Sequence, residues 1–436
     1  MTPPKDIMTT TTSAPRVAPP RSQFRTVFAT SFGNALEWFD WQIYATFAPF
    51  IAAQLFNAEN PISSLLQTFA IFAVGFLARP LGGLLFGLIS DRFGRKSSLI
   101  LAVGAASFGS LLIGLIPTHA AIGAWAAALL LVARLIQGLA HGGEMPAAQT
   151  YISEIAVPEK RGMWSSLIYV SGTTGILCAT LFGAVLTGVM SVEAMQQWGW
   201  RVPFIVAAAM GLFVLVMRIG MHETESFTTG RLQTLTETRP EPLLPARRAA
   251  MLVILLTLGA TVSFYVWGVT APAVATATLG MDPSGALWAG AGGIIVFIAA
   301  LPLWGRLSDR IGRKRVLAIS LLGTAALYFP MQSLMSDQPW TLFVATASVL
   351  VFLAGTMAIL PAVFAELFPT HIRTVGTAVP YSIAVALFGG TAPYLQTWFS
   401  AQLELPWLFS LYSVVLLLIS AATAIFLLPE TKGRVL

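Results

Sequence analysis

Runs of apolar residues, each about as long as a helix that crosses a lipid bilayer, alternate with short polar segments along almost the whole chain. They lie near 26–50, 63–89, 98–116, 122–146, 164–190, 203–220, 250–279, 285–304, 316–335, 340–365, 375–399 and 406–428. A spanning helix needs about 20 apolar residues, so twelve transmembrane helices are predicted and the chain reads as an all-α membrane protein. The longest polar stretch, 221–249, carries His222, Glu223, Glu225, Arg231, Glu237, Arg239, Glu241, Arg247 and Arg248 and leaves six runs on either side. This predicts a six-helix bundle over 26–220, a cytoplasmic linker over 221–249 and a second six-helix bundle over 250–428. Residues 1–25 and 429–436 read as cytoplasmic tails, the first disordered.

Composition agrees with that pattern. Of the 436 residues, 56% are apolar and 10% charged, with a mean hydropathy of +0.76; a soluble domain carries about 25% charged residues. The net charge of +6 would suggest nucleic acid as a partner of a soluble protein, but its placement argues otherwise. With the N-terminus inside, 22 of the 25 Lys and Arg fall in segments on one side, Arg201 alone falls on the other, and Arg79 and Arg134 lie within spans. Such asymmetry marks the cytoplasmic side, which places both termini inside a bacterial-type inner (plasma) membrane. The first apolar run holds Glu37 and Asp40, unlike the apolar core of a signal peptide, so it reads as uncleaved. The lone cysteine, Cys178, reads as a small core residue and excludes a disulfide within the chain.

The halves repeat each other. Gly87-Leu-Ile-Ser-Asp91-Arg92-Phe-Gly94-Arg95-Lys96 recurs as Gly305-Arg-Leu-Ser-Asp309-Arg310-Ile-Gly312-Arg313-Lys314, and Glu154, Pro158 and Arg161 recur as Glu366, Pro369 and Arg373. Both pairs occupy matching loops, as duplication of a bundle requires.

Charges inside the apolar runs single out candidate chemistry. Glu37, Asp40, Arg79, Arg134 and Glu144 all lie in the first half. Each costs about 2.5–3.5 kcal/mol at a bilayer centre, so they must face one another or a hydrated cavity. Glu37, Asp40 and Tyr44 share one helical face, and Arg134, Gln137, His141 and Glu144 form a polar stripe on another. A carboxyl pair three residues apart in low dielectric makes one member a proton carrier, with Arg134 as the partner that releases the proton; a static ion-pair network is the competing reading. His141 and Glu144 extend a proton path, or are a packed histidine and a helix-end ion pair. Guanidinium forks bind carboxylates bidentately, which makes Arg79 and Arg134 candidates for an acidic substrate. Tyr44, Gln137, Tyr265, Trp267 and Tyr381 supply further aromatic and hydrogen-bonding groups. Arg201 reads equally as an interfacial anchor or a gate. Gly83-x-x-x-Gly87 and Gly138-x-x-x-Gly142 read as helix-packing motifs.

The chain has no Walker-type phosphate loop, no His/Cys metal cluster and no nucleophile beside a base. An ATP-driven pump and an enzyme are therefore not expected, nor is a metal or an organic cofactor; the coupling ion is the proton. The expected partners are a small-molecule substrate and the lipid bilayer, not nucleic acid, and the protein is expected to be a monomer.

The repeated loop resembles the signature loop of the major facilitator superfamily. Gly33-Asn34-Ala-Leu-Glu37-Trp38-Phe39-Asp40, Ala78-Arg79-Pro80-Leu81-Gly82-Gly83, Gln137-Gly138-x-x-x-Gly142-Gly143-Glu144 and Trp198-Gly199-Trp200-Arg201-Val-Pro203-Phe204 narrow the resemblance to its metabolite:proton symporters, most of all the 2-oxoglutarate permeases. Phe93 stands where some of these have a His, and the coiled-coil extension of osmosensing proline/betaine transporters is not seen. The resemblance implies alternating access, with Asp91, Arg95, Asp309 and Arg313 in a loop that latches one gate state. Glu154, Arg161, Glu366 and Arg373 join them as gating candidates. It implies proton symport of 2-oxoglutarate or a related di- or tricarboxylate. Proline or glycine betaine, or a shikimate-like monocarboxylate, are the alternatives; drug efflux lacks its Gly-x-x-x-Gly-Pro motif in the fifth run.

Overall fold

Capping and glycine positions turn the apolar runs into discrete helices. The structure is a computed structural model that describes residues 20–56, 60–93, 95–142, 149, 152–153, 156–219, 244–369 and 372–434; at 20–31, 87, 90–93, 95–96, 98–99 and 217–219 it describes the backbone alone. The first half contains α1 (Pro20–Thr46), α2 (Ala48–Leu55), α3 (Pro61–Phe93), α4 (Arg95–Leu115), α5 (His119–Ile122), α6 (Trp125–Ala140), α7 (Arg161–Val189), α8 (Val192–Gln197) and α9 (Val202–Ile219). The second contains α10 (Ala246–Ser263), α11 (Ala271–Leu279), α12 (Pro283–Ile311), α13 (Arg313–Leu334), α14 (Pro339–Leu367), α15 (Arg373–Ala384), α16 (Ala392–Thr397) and α17 (Pro406–Ala422). Asn60 starts α3 by accepting from the Ile62 and Ser63 amides at 3.0 and 3.1 Å, and Asp282 starts α12 through the Gly285 amide at 2.7 Å, each satisfying donors a helix start leaves open. Gly280, with φ of 69°, ends α11 in the left-handed region that favours glycine.

Among the described residues there is no strand, and nine helices are long and apolar enough to cross a membrane. Ile100–Leu115 and Trp125–Ala140 are shorter apolar helices. Leu81, Leu88, Phe108, Trp125, Phe213, Leu303 and Phe426 are exposed, an apolar exterior that suits lipid rather than water. This is a multi-pass membrane protein.

Several expectations are corrected. Helix α1 begins at Pro20, six residues into what reads as a disordered tail, and α10 begins at Ala246 inside the expected linker; 221–243 lies outside the described residues. Cys178 is exposed on α7 rather than packed in a core. In the C-terminal segment Glu430, Thr431 and Arg434 dock onto the second half.

The second half also departs from regular helix. Four π-helical segments, Phe264–Thr270, Val385–Gly389, Trp398–Gln402 and Thr423–Leu427, all lie there among the described residues. Widened turns of this kind often mark functional positions. In the first of them Thr270 donates its hydroxyl to the Tyr265 carbonyl at 2.9 Å. Helices α7 and α12 bring the halves together: the Gly162 and Gly305 backbones approach so closely that a Cβ on Gly305 would lie 2.7 Å from the Gly162 carbonyl oxygen.

Candidate functional site

Helix α6 can approach α3 only because its facing residues are small. A Cβ on Gly138 would overlap the Gly75 carbonyl, and one on Gly142 would overlap the Arg79 carbonyl. This tight crossing sets Arg79 of α3 and Arg134 of α6 beside the same ring. Their Cζ atoms lie 4.1 and 3.9 Å from the Trp41 ring centroid, and Arg134 also lies over Tyr44 at 4.2 Å and Phe72 at 5.4 Å. Phe76 covers Arg79 at 4.4 Å. Guanidinium–aromatic stacking of this kind strengthens as water is excluded.

The two acids take separate partners. Glu37 faces Arg79, with Nη2 to Oε1 at 3.8 Å. Asp40 is held by the Ser110 hydroxyl on Oδ1, by Gln137 Nε2 on Oδ2 at 2.8 Å, and by His141 Nε2 at 3.4 Å from Oδ2. Arg134 reaches Asp40 only through Gln137, donating from Nη1 to Oε1 at 2.9 Å. Among the described residues, then, Glu37 faces Arg79 across the helices and Arg134 is linked to Asp40 through the Gln137 amide. Gly109 makes room for that amide: a Cβ there would stand 2.6 Å from Gln137 Cγ.

Arg134 is 0% exposed. Its Nε and Nη2 have no hydrogen-bond partner among the described residues. These two N–H groups form one edge of the guanidinium, the edge that receives a carboxylate in a bidentate contact. Tyr44 does not compete for it, since its hydroxyl donates to the Thr68 carbonyl at 2.9 Å.

The second half closes over this cluster with aromatic rings. Tyr265 meets Phe76 edge-on at 5.1 Å, and Tyr381 and Tyr169 face each other across the bundles at 3.3 Å between hydroxyl oxygens. Trp267 does not join them. It packs on Tyr328 at 5.5 Å and lines a separate cavity of about 360 Å³ within the second half. Glu144 lies outside the described residues.

The gating candidates gather at the end of α7 and α12. Asp309 accepts from the Gly162 and Met163 amides at 2.8 and 3.0 Å, the anion-binding geometry of a helix start. Glu366 receives Arg161 at 3.0 Å and Arg313 at 3.4 Å, and Arg313 also binds Asp309 at 2.7 Å. Arg373 donates from Nε to the Ala365 carbonyl at 2.9 Å. The side chains of Asp91 and Arg95, and all of Glu154, lie outside the description. The docked terminus, which sequence reasoning missed, adds Thr431 on Glu366 Oε2 at 2.6 Å and the Arg434 carbonyl as acceptor for Arg161 at 2.6 Å. Ser110 was missed as well; nothing in the pattern of its own helix distinguishes it from other small polar residues in spans. Arg201 donates to the Ile116 and Gln197 carbonyls at 2.8 Å each.

Comparisons with known proteins place the chain among membrane transporters. The family described as Sugar (and other) transporter matches residues 26–240, and the Major Facilitator Superfamily matches residues 253–435. The alpha-ketoglutarate permease of Escherichia coli (strain K12) is 34% identical over 421 residues, 95% of each chain. A putative proline/betaine transporter of Staphylococcus haemolyticus (strain JCSC1435) is 35% identical over 86% of this chain and 81% of its own. The citrate-proton symporter of Klebsiella pneumoniae is 32% identical over 85% and 84%. A crystal structure of a D-xylose-proton symporter superposes with a TM-score of 0.75 over 95% of this chain and 100% of its own; at 20% identity it shows the shared fold alone.

Proposed function

The chain belongs to the major facilitator superfamily, and from that premise we propose that it carries a small organic acid, 2-oxoglutarate or a related di- or tricarboxylate, together with a proton by alternating access. In this reading twelve helices span a bacterial inner membrane, both termini and the 221–249 linker are cytoplasmic, and the protein works as a monomer without a cofactor. The observation that carries the reading is the open Nε–Nη2 edge of Arg134, buried beneath Trp41 and Tyr44. Leaving buried donors unpaired is costly, and a substrate carboxylate satisfies both at once. Arg79, held only at 3.8 Å from Glu37, is the second cation available to a diacid. Gln137 then connects occupancy of Arg134 to the charge on Asp40. The likeness to the alpha-ketoglutarate permease and the citrate-proton symporter supports an acidic substrate.

The proline/betaine relative supports a zwitterion as the second reading, because a single carboxylate also fits the Arg134 edge. Reconstituted protein separates the two by uptake of labelled 2-oxoglutarate with an inward proton gradient. Dicarboxylates should block that uptake and glycine betaine should not. Uptake of betaine in its place, unaffected by dicarboxylates, overturns the organic-acid assignment.

A further inference from the structure

A cavity of about 40 Å³ touches Glu37, Asp40, Ser110 and His141 but neither Arg79 nor Arg134, and no residue of the second half lines it. It sits between α1, α4, α9 and the end of α6. Ser107 and Val103, also in its lining, stand about one and two turns from Ser110 toward Arg95, which is about 10 Å along a helix. That end of α4 adjoins the loop assigned to the cytoplasm. The space is large enough for two or three waters, each needing about 10–15 Å³ and several polar partners.

Ser110 bridges the cavity and the ionic cluster. Its single hydroxyl hydrogen has two acceptors in reach, Asp40 Oδ1 and the Ala106 carbonyl at 3.2 Å, while its oxygen receives Gln137 Nε2 at 2.8 Å. We propose that Asp40 exchanges its proton through this cavity inside the N-terminal bundle, separately from the substrate path between the bundles, and that Ser110 reverses its hydrogen bond as the carboxyl changes charge. The proposal rests on the proton-coupled reading above.

When Asp40 is ionised, Ser110 donates to Oδ1 and Gln137 to Oδ2. A hydronium in the cavity then gives up a proton, an O–H bond forms on Oδ1, and neutral water remains. Ser110 turns its hydrogen to Ala106 and accepts from the new Asp40 hydroxyl, so both states are satisfied. The charged or titratable groups near Asp40 are Glu37 on α1, Arg79 on α3, and Arg134 and His141 at α6. Among the described residues α4 presents Ser107 and Ser110, and α9 presents Ala207, Gly211 and Val214, so neither adds a charge.

The test introduces Val103→Cys in a Cys178→Ser background and plugs the cavity with a small methanethiosulfonate. The infrared carbonyl band of protonated Asp40, identified by its loss in Asp40→Asn, is followed after transfer to deuterated water. Plugging should slow its exchange at least tenfold while 2-oxoglutarate counterflow stays within twofold. Ser110→Ala should lower gradient-driven uptake about tenfold with counterflow retained, and Ser110→Thr should restore it. Exchange equally fast with and without the plug overturns the route, as does the lack of any protonated Asp40 band between about pH 5 and 9. Absence of 2-oxoglutarate counterflow in the unsubstituted protein overturns the organic-acid reading instead, and leaves the infrared result interpretable.

Discussion

Two buried ionic clusters in this molecule differ in how fully their groups are paired. At the meeting of α7, α12 and the C-terminal segment, Glu366 receives Arg161, Arg313 and Thr431, and Asp309 receives Arg313 and two backbone amides, at distances of 2.6–3.4 Å. In the N-terminal bundle the ion pairs are looser, 3.8 Å for Arg79 with Glu37 and 3.4 Å for His141 with Asp40, and one edge of Arg134 is open among the described residues. A buried ion pair offsets its desolvation only when geometry and hydrogen bonding are good. The first cluster meets that condition from the protein's own groups and joins the two bundles. The second meets it less fully, with Arg134 Nε and Nη2 unpaired among the described residues. Both clusters leave a buried donor unpaired among the described residues, Arg313 Nε in the first and Arg134 Nε and Nη2 in the second, but the second leaves a whole guanidinium edge.

The largest test strikes the cluster at Glu366. Glu366→Gln leaves Arg161 and Arg313 without their shared carboxylate, and loss of one partner from a buried pair costs about 3–5 kcal/mol. Thermal unfolding in detergent should show a clear fall in midpoint, and an unchanged midpoint breaks the distinction. Arg134→Lys keeps the charge but loses the fork, so uptake of 2-oxoglutarate should fall about 100-fold, the worth of about two charge-assisted hydrogen bonds, with little change in the unfolding midpoint. A stability loss matching that of Glu366→Gln would make Arg134 a structural ion instead. Gly138→Ala forces α6 off α3 and should cost about 1–3 kcal/mol as an overpacking substitution, lowering both folded yield and uptake. Trp267→Phe, in the separate cavity of the second half and without contact to Arg134, should alter uptake by less than about twofold, as expected of sites that share no partners; a large effect would extend the substrate site into that half.

Much of the architecture was legible along the chain. Bilayer thickness dictates apolar run length, so within the described residues the expected runs fall mostly on helix, and nine helices there meet the length and hydropathy of a span. The cost of charge in lipid singled out Glu37, Asp40, Arg79 and Arg134 before any contact was known, and the repeat pointed to Asp309 and Arg313. Spacing along one helix, however, says only which residues share a face. It could not show that Glu37 turns to Arg79 while Asp40 turns to Ser110, because that depends on how closely α3 and α6 approach at Gly138.

By itself, then, the amino-acid order determined what must be buried, what must lie in lipid and which buried groups carry charge, since each follows from local transfer free energies. Tertiary structure decided which charges are satisfied and which remain open. Hydrogen bonding depends on tenths of an ångström between helices far apart in the chain, as between Gln137 and Asp40 or Thr431 and Glu366, and no one-dimensional pattern encodes such distances.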